Sequence, residues 1–92
     1  MALAAEAPGL TVHPVEPEGF DDVKRSLASG RIERNATLTG SVCDAIIPPS
    51  PGALTFPILA DLCGPGLTVR DDDCLQAMVA AFTRLKLVIE PG

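Results

Sequence analysis

The stretch from Leu10 to Gly30 constrains the fold most, because it reads as a strand, a turn and a helix in immediate succession. Leu10 to Val15 alternates around Thr11 and His13, a period of two that predicts a strand, and Pro14 suits a strand end or a sheet edge. Gly19 supplies the turn. Asp21 to Ala28 follows as a short helix with Val23 and Leu27 at i and i+4, stopped by Gly30. The rest of the chain keeps the alternation. Residues 2 to 7 are strong helix formers broken by Pro8-Gly9. Thr55 to Leu62 opens on a hydroxyl suited to N-capping, places Phe56, Ile58, Leu59 and Leu62 on one face, and carries Pro57 early, where helices tolerate it. Gly64-Pro65-Gly66 ends that helix, and Leu67 to Val69 is a short strand. The clearest helix runs from Asp72 to Leu85, with Leu75, Met78, Val79, Phe82 and Leu85 as a predicted core stripe. Leu87-Val88-Ile89 is a continuous apolar run that predicts a buried strand ending in Glu90. The class is α/β.

The balance of residues bounds the function. A net charge of −5 argues against a nucleic-acid or anionic-membrane partner, either of which wants a basic face. No apolar run approaches membrane-spanning length, and the first residues lack the basic start and apolar stretch of a signal peptide. Cys43, Cys63 and Cys74 contain no CxxC pair, so neither a disulfide framework nor a zinc knuckle is suggested, and a reducing cytoplasm is the simpler setting. With 47% apolar residues the chain is no disordered tail, but its three aromatic residues, all Phe, leave few anchors for a self-sufficient core.

Glu16 and Asp22 are two carboxylates six residues apart around the Gly19 turn. With a backbone carbonyl between them they offer three oxygens to a hard divalent cation; alternatively, the acidic residues at 21 and 22 only meet the positive end of the helix that follows. The cluster Asp71-Asp72-Asp73 reads as capping and dipole pairing. Cys43 reads as structural, since the neighbouring Asp44 carboxylate opposes thiolate formation, and His13 as a packed or surface residue. Residues 31 to 54, punctuated by Asn35, Gly40, Pro48, Pro49, Pro51 and Gly52, are irregular. A long irregular stretch inside a domain is often functional, and a proline-rich surface loop is the plainer reading.

Five blocks in order carry a family resemblance: Val15-Glu16-Pro17-Glu18-Gly19-Phe20-Asp21-Asp22, Ser41-Val42-Cys43-Asp44-Ala45, Pro51-Gly52-Ala53-Leu54-Thr55-Phe56, Thr68-Val69-Arg70-Asp71, and Leu85 to Gly92. Across residues 8 to 92 the chain resembles the later part of the catalytic domain of fold-type II pyridoxal-phosphate enzymes, in the threonine/serine dehydratase and serine racemase branch. The resemblance implies the three-layer α/β/α fold of the tryptophan synthase beta-like class. It also implies a partial domain over residues 1 to 92, truncated at both ends, because the family's Schiff-base lysine and Gly-rich phosphate loop belong upstream and a further cofactor-facing segment downstream.

What the resemblance implies about chemistry is specific by residue. Asp44, Ala45 and Glu90 match positions near pyridoxal 5'-phosphate, with Ala45 the small residue that lies against the ring face, and Cys43-Asp44-Ala45 looks like the bacterial dehydratase version. Glu16, the Phe20 carbonyl and Asp22 match the family's cation site, for Mg or Ca. No catalytic residue of the family falls within this chain. The intact enzyme would deaminate L-threonine or L-serine to a 2-oxo acid and ammonia, with racemisation the neighbouring outcome, as a cytoplasmic homo-oligomer. A non-catalytic metal-binding module, or an interaction domain presenting the stripe at 75 to 85, is the alternative.

Overall fold

The computed structural model describes residues 2–92, and the alternation holds. Helix α1 spans Ala2–Glu6, strand β1 Val15–Pro17, helix α2 Asp22–Ser29, helix α3 Phe56–Leu62, strand β2 Leu67–Val69 and helix α4 Asp71–Ala80. The two strands pair in parallel, Val15 opposite Leu67, Glu16 opposite Thr68 and Pro17 opposite Val69. Parallel neighbours need a crossover, and here it carries α2, the irregular stretch and α3.

The expected strand at Leu10–Val15 is displaced toward the carboxyl end. Val12 forms only an isolated parallel bridge with Cys63. Pairing then continues as Gly64 N–H donates to the Val12 carbonyl, Leu67 N–H to that of Pro14 and Glu18 N–H to that of Val69. Pro14 joins through its carbonyl, so its missing N–H costs the ladder nothing. Where a strand lies depends on which residues find donors across the sheet, and alternation cannot supply that.

Local signals place the helices well. Gly30 caps α2 at φ 78°, the left-handed conformation glycine adopts without a Cβ penalty, and returns its N–H to the Ser26 carbonyl. At Gly66 an added Cβ would sit 2.6 Å from Lys24 Cβ and 2.7 Å from its Cα, so α2 packs directly on the β2 approach. Thr55 does not cap α3 with its hydroxyl, contrary to expectation. Its backbone is already helical, and its Oγ1 donates to the Gly52 carbonyl instead.

The last helix begins and ends near the predicted positions but changes pitch. After Ala80 it widens into a π-turn over Ala81–Leu85, and Thr83 Oγ1 donates to the Val79 carbonyl. Lys86 closes the turn at φ 58°, with its own N–H and that of Leu87 both reaching the Ala81 carbonyl.

Two packing expectations are corrected. The stripe Leu75, Val79, Phe82 and Leu85 is exposed rather than core, Phe82 by 60%, with Met78 half-buried. Leu87-Val88-Ile89 forms no strand, and Val88 is 87% exposed. Both segments have the right hydrophobic pattern, but they meet only each other, with Met78, Val79, Phe82, Val88 and Ile89 lining one open groove that no other described residue lines. The buried apolar residues are Phe20 on the β1–α2 turn, Cys43 and Phe56 at the start of α3, and Pro17 in β1 and Pro51 are buried as well.

Candidate functional site

Glu16 lies in β1 with its side chain turned inward, 8% exposed, beneath the start of α2. Its two carboxylate oxygens accept the N–H groups of Val23 at 3.0 Å and Lys24 at 2.9 Å. These are donors that a helix's first turn cannot satisfy internally, so a strand residue caps a helix six positions on. The role expected of Asp21 and Asp22 thus falls to Glu16. Asp21, the N-cap residue by position, instead pairs with the Arg25 Nε at 3.2 Å.

Asp22 is wholly buried. Its Oδ1 accepts from Asn35 Nδ2 at 2.9 Å, while its Oδ2 has no hydrogen-bond partner. Burial pushes the Glu16 carboxyl pKa up, against the pull of the Lys24 and Val23 amides, and the nearby Asp22 charge raises it further. A buried carboxylate pair with one orphaned oxygen is short of positive charge, and a hard cation would satisfy that oxygen. Phe20, whose carbonyl completes the expected set, sits on the turn between the two and is itself buried. No N–H among the described residues donates to that carbonyl. The described residues contain no cluster of three or more His, Cys, Asp or Glu suited to a metal, so a cation here would take two carboxylates, backbone carbonyl oxygen and water.

Asn35 is the residue that sequence reasoning missed. It lay in the irregular stretch as simple punctuation. In the fold its Nδ2 also donates to the Pro48 carbonyl at 2.8 Å, its N–H to the Pro49 carbonyl at 2.8 Å, and its Oδ1 accepts from Arg25 Nη2 at 2.7 Å. Ser26 adds a second tie, donating to the Asp22 carbonyl and accepting from Glu33 N–H. No local pattern announces such a hub; a lone Asn amid loop residues was its only signal.

Asp44, Ala45 and Ile46 form a single 3-10 turn, with Asp44 and Ala45 exposed. Asp71, at the first turn of α4, holds the approach to it: its carboxylate accepts from Ser41 Oγ at 2.7 Å and from Val42 N–H at 3.2 Å. Asp73 behaves as expected of a capping residue and accepts the Arg70 N–H at 2.9 Å. The carboxyl-terminal segment returns to the same turn. Cys43 Sγ donates to the Pro91 carbonyl at 3.3 Å, and a Cβ on Gly92 would lie 3.4 Å from that of Ala45. Glu90 is exposed one residue before that contact. The fold thus brings Ala45 and the segment after Glu90 together, and Glu16 and Ala45 share the wall of one open groove of ≈ 590 Å³. A small side chain on an open turn beside a groove fits one face of a flat ring.

The two lysines sit elsewhere. Lys24 is in α2 against Gly66, and Lys86 Nζ donates to the Thr83 carbonyl at the end of the π-turn. His13 is exposed, its Nδ1 2.8 Å from the Pro65 carbonyl, which makes it the donor there. No described helix is long and apolar enough to cross a membrane.

Comparison with known proteins gives concordant likenesses. The family profile described as "Pyridoxal-phosphate dependent enzyme" matches residues 1–92. The solved structure of a threonine deaminase from T.th. is 42% identical, with a TM-score of 0.92, covering 98% of this chain and 30% of that one. Serine racemase from Dictyostelium discoideum is 35% identical over 86 residues, 92% of this chain and 26% of the relative. L-threo-3-hydroxyaspartate ammonia-lyase from Pseudomonas sp is 32% identical over 91 residues, 99% of this chain and 28% of the relative. The chain therefore spans less than a third of the length of these relatives. Its helices and parallel strand pair are a part of the fold-type II α/β architecture.

Proposed function

The chain belongs to the pyridoxal-phosphate-dependent enzyme family, and on that premise we propose that it forms the cation-bearing, ring-facing part of an ammonia-lyase. The substrate class is L-threonine or L-serine, and the products are a 2-oxo acid and ammonia. The observation that carries this reading is the likeness to a threonine deaminase at 42% identity over 98% of the chain.

When bound, pyridoxal phosphate supplies the electron sink for charge left at the substrate's Cα. The chain's own residues would position and support. Ala45 offers only a methyl group at the 3-10 turn and so leaves room for a flat ring, with Asp44 and Glu90 exposed nearby. Asp71 fixes the height of that turn through Ser41 and Val42. Glu16, Asp22 and the Phe20 carbonyl would hold the cation. Magnesium would keep several waters, while calcium would accept more protein oxygens. The cation would also serve the ring-facing side through Asn35, which ties Asp22 to Pro48 and Pro49 directly after the turn. Neither Lys24 nor Lys86 stands at this face, so the lysine that binds the cofactor would come from a segment outside these residues.

Racemisation is the second reading, supported by the likeness to serine racemases. Both outcomes begin with loss of the α-proton; they part over whether the β-hydroxyl leaves. A chimera tests the choice: these 92 residues replace the matching segment of the threonine deaminase relative, and products from L-serine and L-threonine are measured. The expected result is 2-oxo acid in excess of D-serine. Excess D-serine would favour the racemase reading, and a folded, cofactor-loaded chimera with neither product would remove both.

A further inference from the structure

Cys43 and Cys74 lie 31 positions apart in sequence, yet their sulfurs are 3.4 Å apart. Cys43 is 1% exposed, and Cys74 is half-buried on the first turns of α4. Both are free thiols, as is Cys63, which sits at the bridge to Val12. A disulfide needs sulfurs about 2.05 Å apart, so closure requires a shift of about 1.4 Å. The surrounding structure already holds the two elements together, because Asp71, three residues before Cys74, binds Ser41 and Val42 directly before Cys43.

We propose that Cys43 and Cys74 are a site of reversible two-electron oxidation, closed to a disulfide by a peroxide. The half-buried Cys74 is the sulfur a small oxidant reaches. Its thiolate attacks one peroxide oxygen, the O–O bond breaks, and the departing hydroxide takes up a proton as water, leaving a sulfenic acid. The Cys43 sulfur then attacks that of Cys74; the S–S bond forms, the S–O bond breaks, and hydroxide leaves with the Cys43 proton as a second water. Two thiols and one peroxide give one disulfide and two waters. The hydrogen bond shared with Cys43 pushes the Cys74 thiol pKa up, so the reaction should be slow at neutral pH and faster in mild alkali.

Closure has a local consequence. The Cys43 thiol donates to the Pro91 carbonyl, and a disulfide sulfur has no proton to donate. Oxidation therefore ties the turn bearing Asp44 and Ala45 covalently to α4 while releasing the segment that carries Glu90. Its meaning for cofactor binding rests on the function proposed above; the disulfide itself does not.

The test is linkage mapping on the chimera described above, in which these 92 residues sit within the whole fold, after brief treatment with hydrogen peroxide, by non-reducing digestion and mass spectrometry. The expected product is a Cys43–Cys74 peptide lighter by two hydrogens, restored by dithiothreitol and formed equally in Cys63→Ser. Proximity in the fold must overcome loop length. Cys63 and Cys74 are 11 positions apart against 31 for the proposed pair, so a chain without this structure would favour Cys63–Cys74 by roughly fivefold. Predominance of any Cys63 linkage, or sulfinic acid without disulfide, would overturn the site. So would a Cys74→Ser chain in which Cys43 couples to Cys63 just as readily. Because the readout is the linkage, it is independent of whether the lyase reading stands.

Discussion

Asp22 concentrates the chemistry at the scale of single residues, since one of its oxygens is buried without a partner while Glu16 beside it is already committed to two amides. Replacing it by Asn turns that orphan acceptor into a possible donor toward Glu16 and removes one buried charge. Without divalent ions, Asp22→Asn should therefore stabilise the chain by about 1–3 kcal/mol. In the parent, magnesium or calcium at about 100 times Kd should add about 2.7 kcal/mol; in Asp22→Asn that gain should vanish, and in the exposed control Asp72→Asn it should persist. Thermal melts with and without each ion give all three. The pH dependence has a fixed sign. The folded pKa of Glu16 is raised, chiefly by burial, so the folded state holds its proton longer than the unfolded chain does. Its contribution is fully present below the ordinary glutamate value and is lost as pH rises through the raised one. Saturating cation should flatten that loss, and a stability that instead rises through this window would contradict the assignment.

Elements show which parts of the fold sequence makes legible. Helix α2 was readable because its signals are local: Val23 and Leu27 on one face, Gly30 at the end. Strand β2 was readable between Gly66 and Arg70 for the same reason. The cap of α2 was not, because it comes from Glu16 in β1, and neither were the Asn35 hub or the Asp71–Ser41 contact, which join residues 13 and 30 positions apart. The stripe on α4 had the right period and the wrong burial, since periodicity marks a face and not what covers it. The π-turn also escaped notice, and it leaves a testable strain. Lys86 holds φ 58°, which costs a non-glycine residue roughly 1–2 kcal/mol. Lys86→Gly should relieve it and stabilise the chain by about 0.5–1 kcal/mol by denaturant unfolding. Destabilisation would mean that the exposed Lys86 Nζ bond to Thr83 matters more than the backbone.

At the scale of the whole molecule, the chain is thin and open. It measures 39 × 35 × 17 Å with a radius of gyration of 14.4 Å, where about 12 Å is usual for its length. Its surface of 6209 Å² exceeds the about 5,000 Å² expected for a closed domain of this mass. The excess includes one apolar face: Leu75, Val79, Phe82 and Leu85 on the last helix, with Val88 after it. Burying such a side chain contributes about 1.5–3 kcal/mol, so a face of this kind matters against a net stability of about 5–15 kcal/mol. We propose that these residues form one part of a larger α/β core, whose remaining layers would cover that face. Sedimentation velocity of the 92-residue chain, followed through a thermal melt, tests this most directly. The prediction is concentration-dependent self-association and a broad, weakly cooperative transition; a monomer that melts sharply would contradict it and identify a self-sufficient small domain.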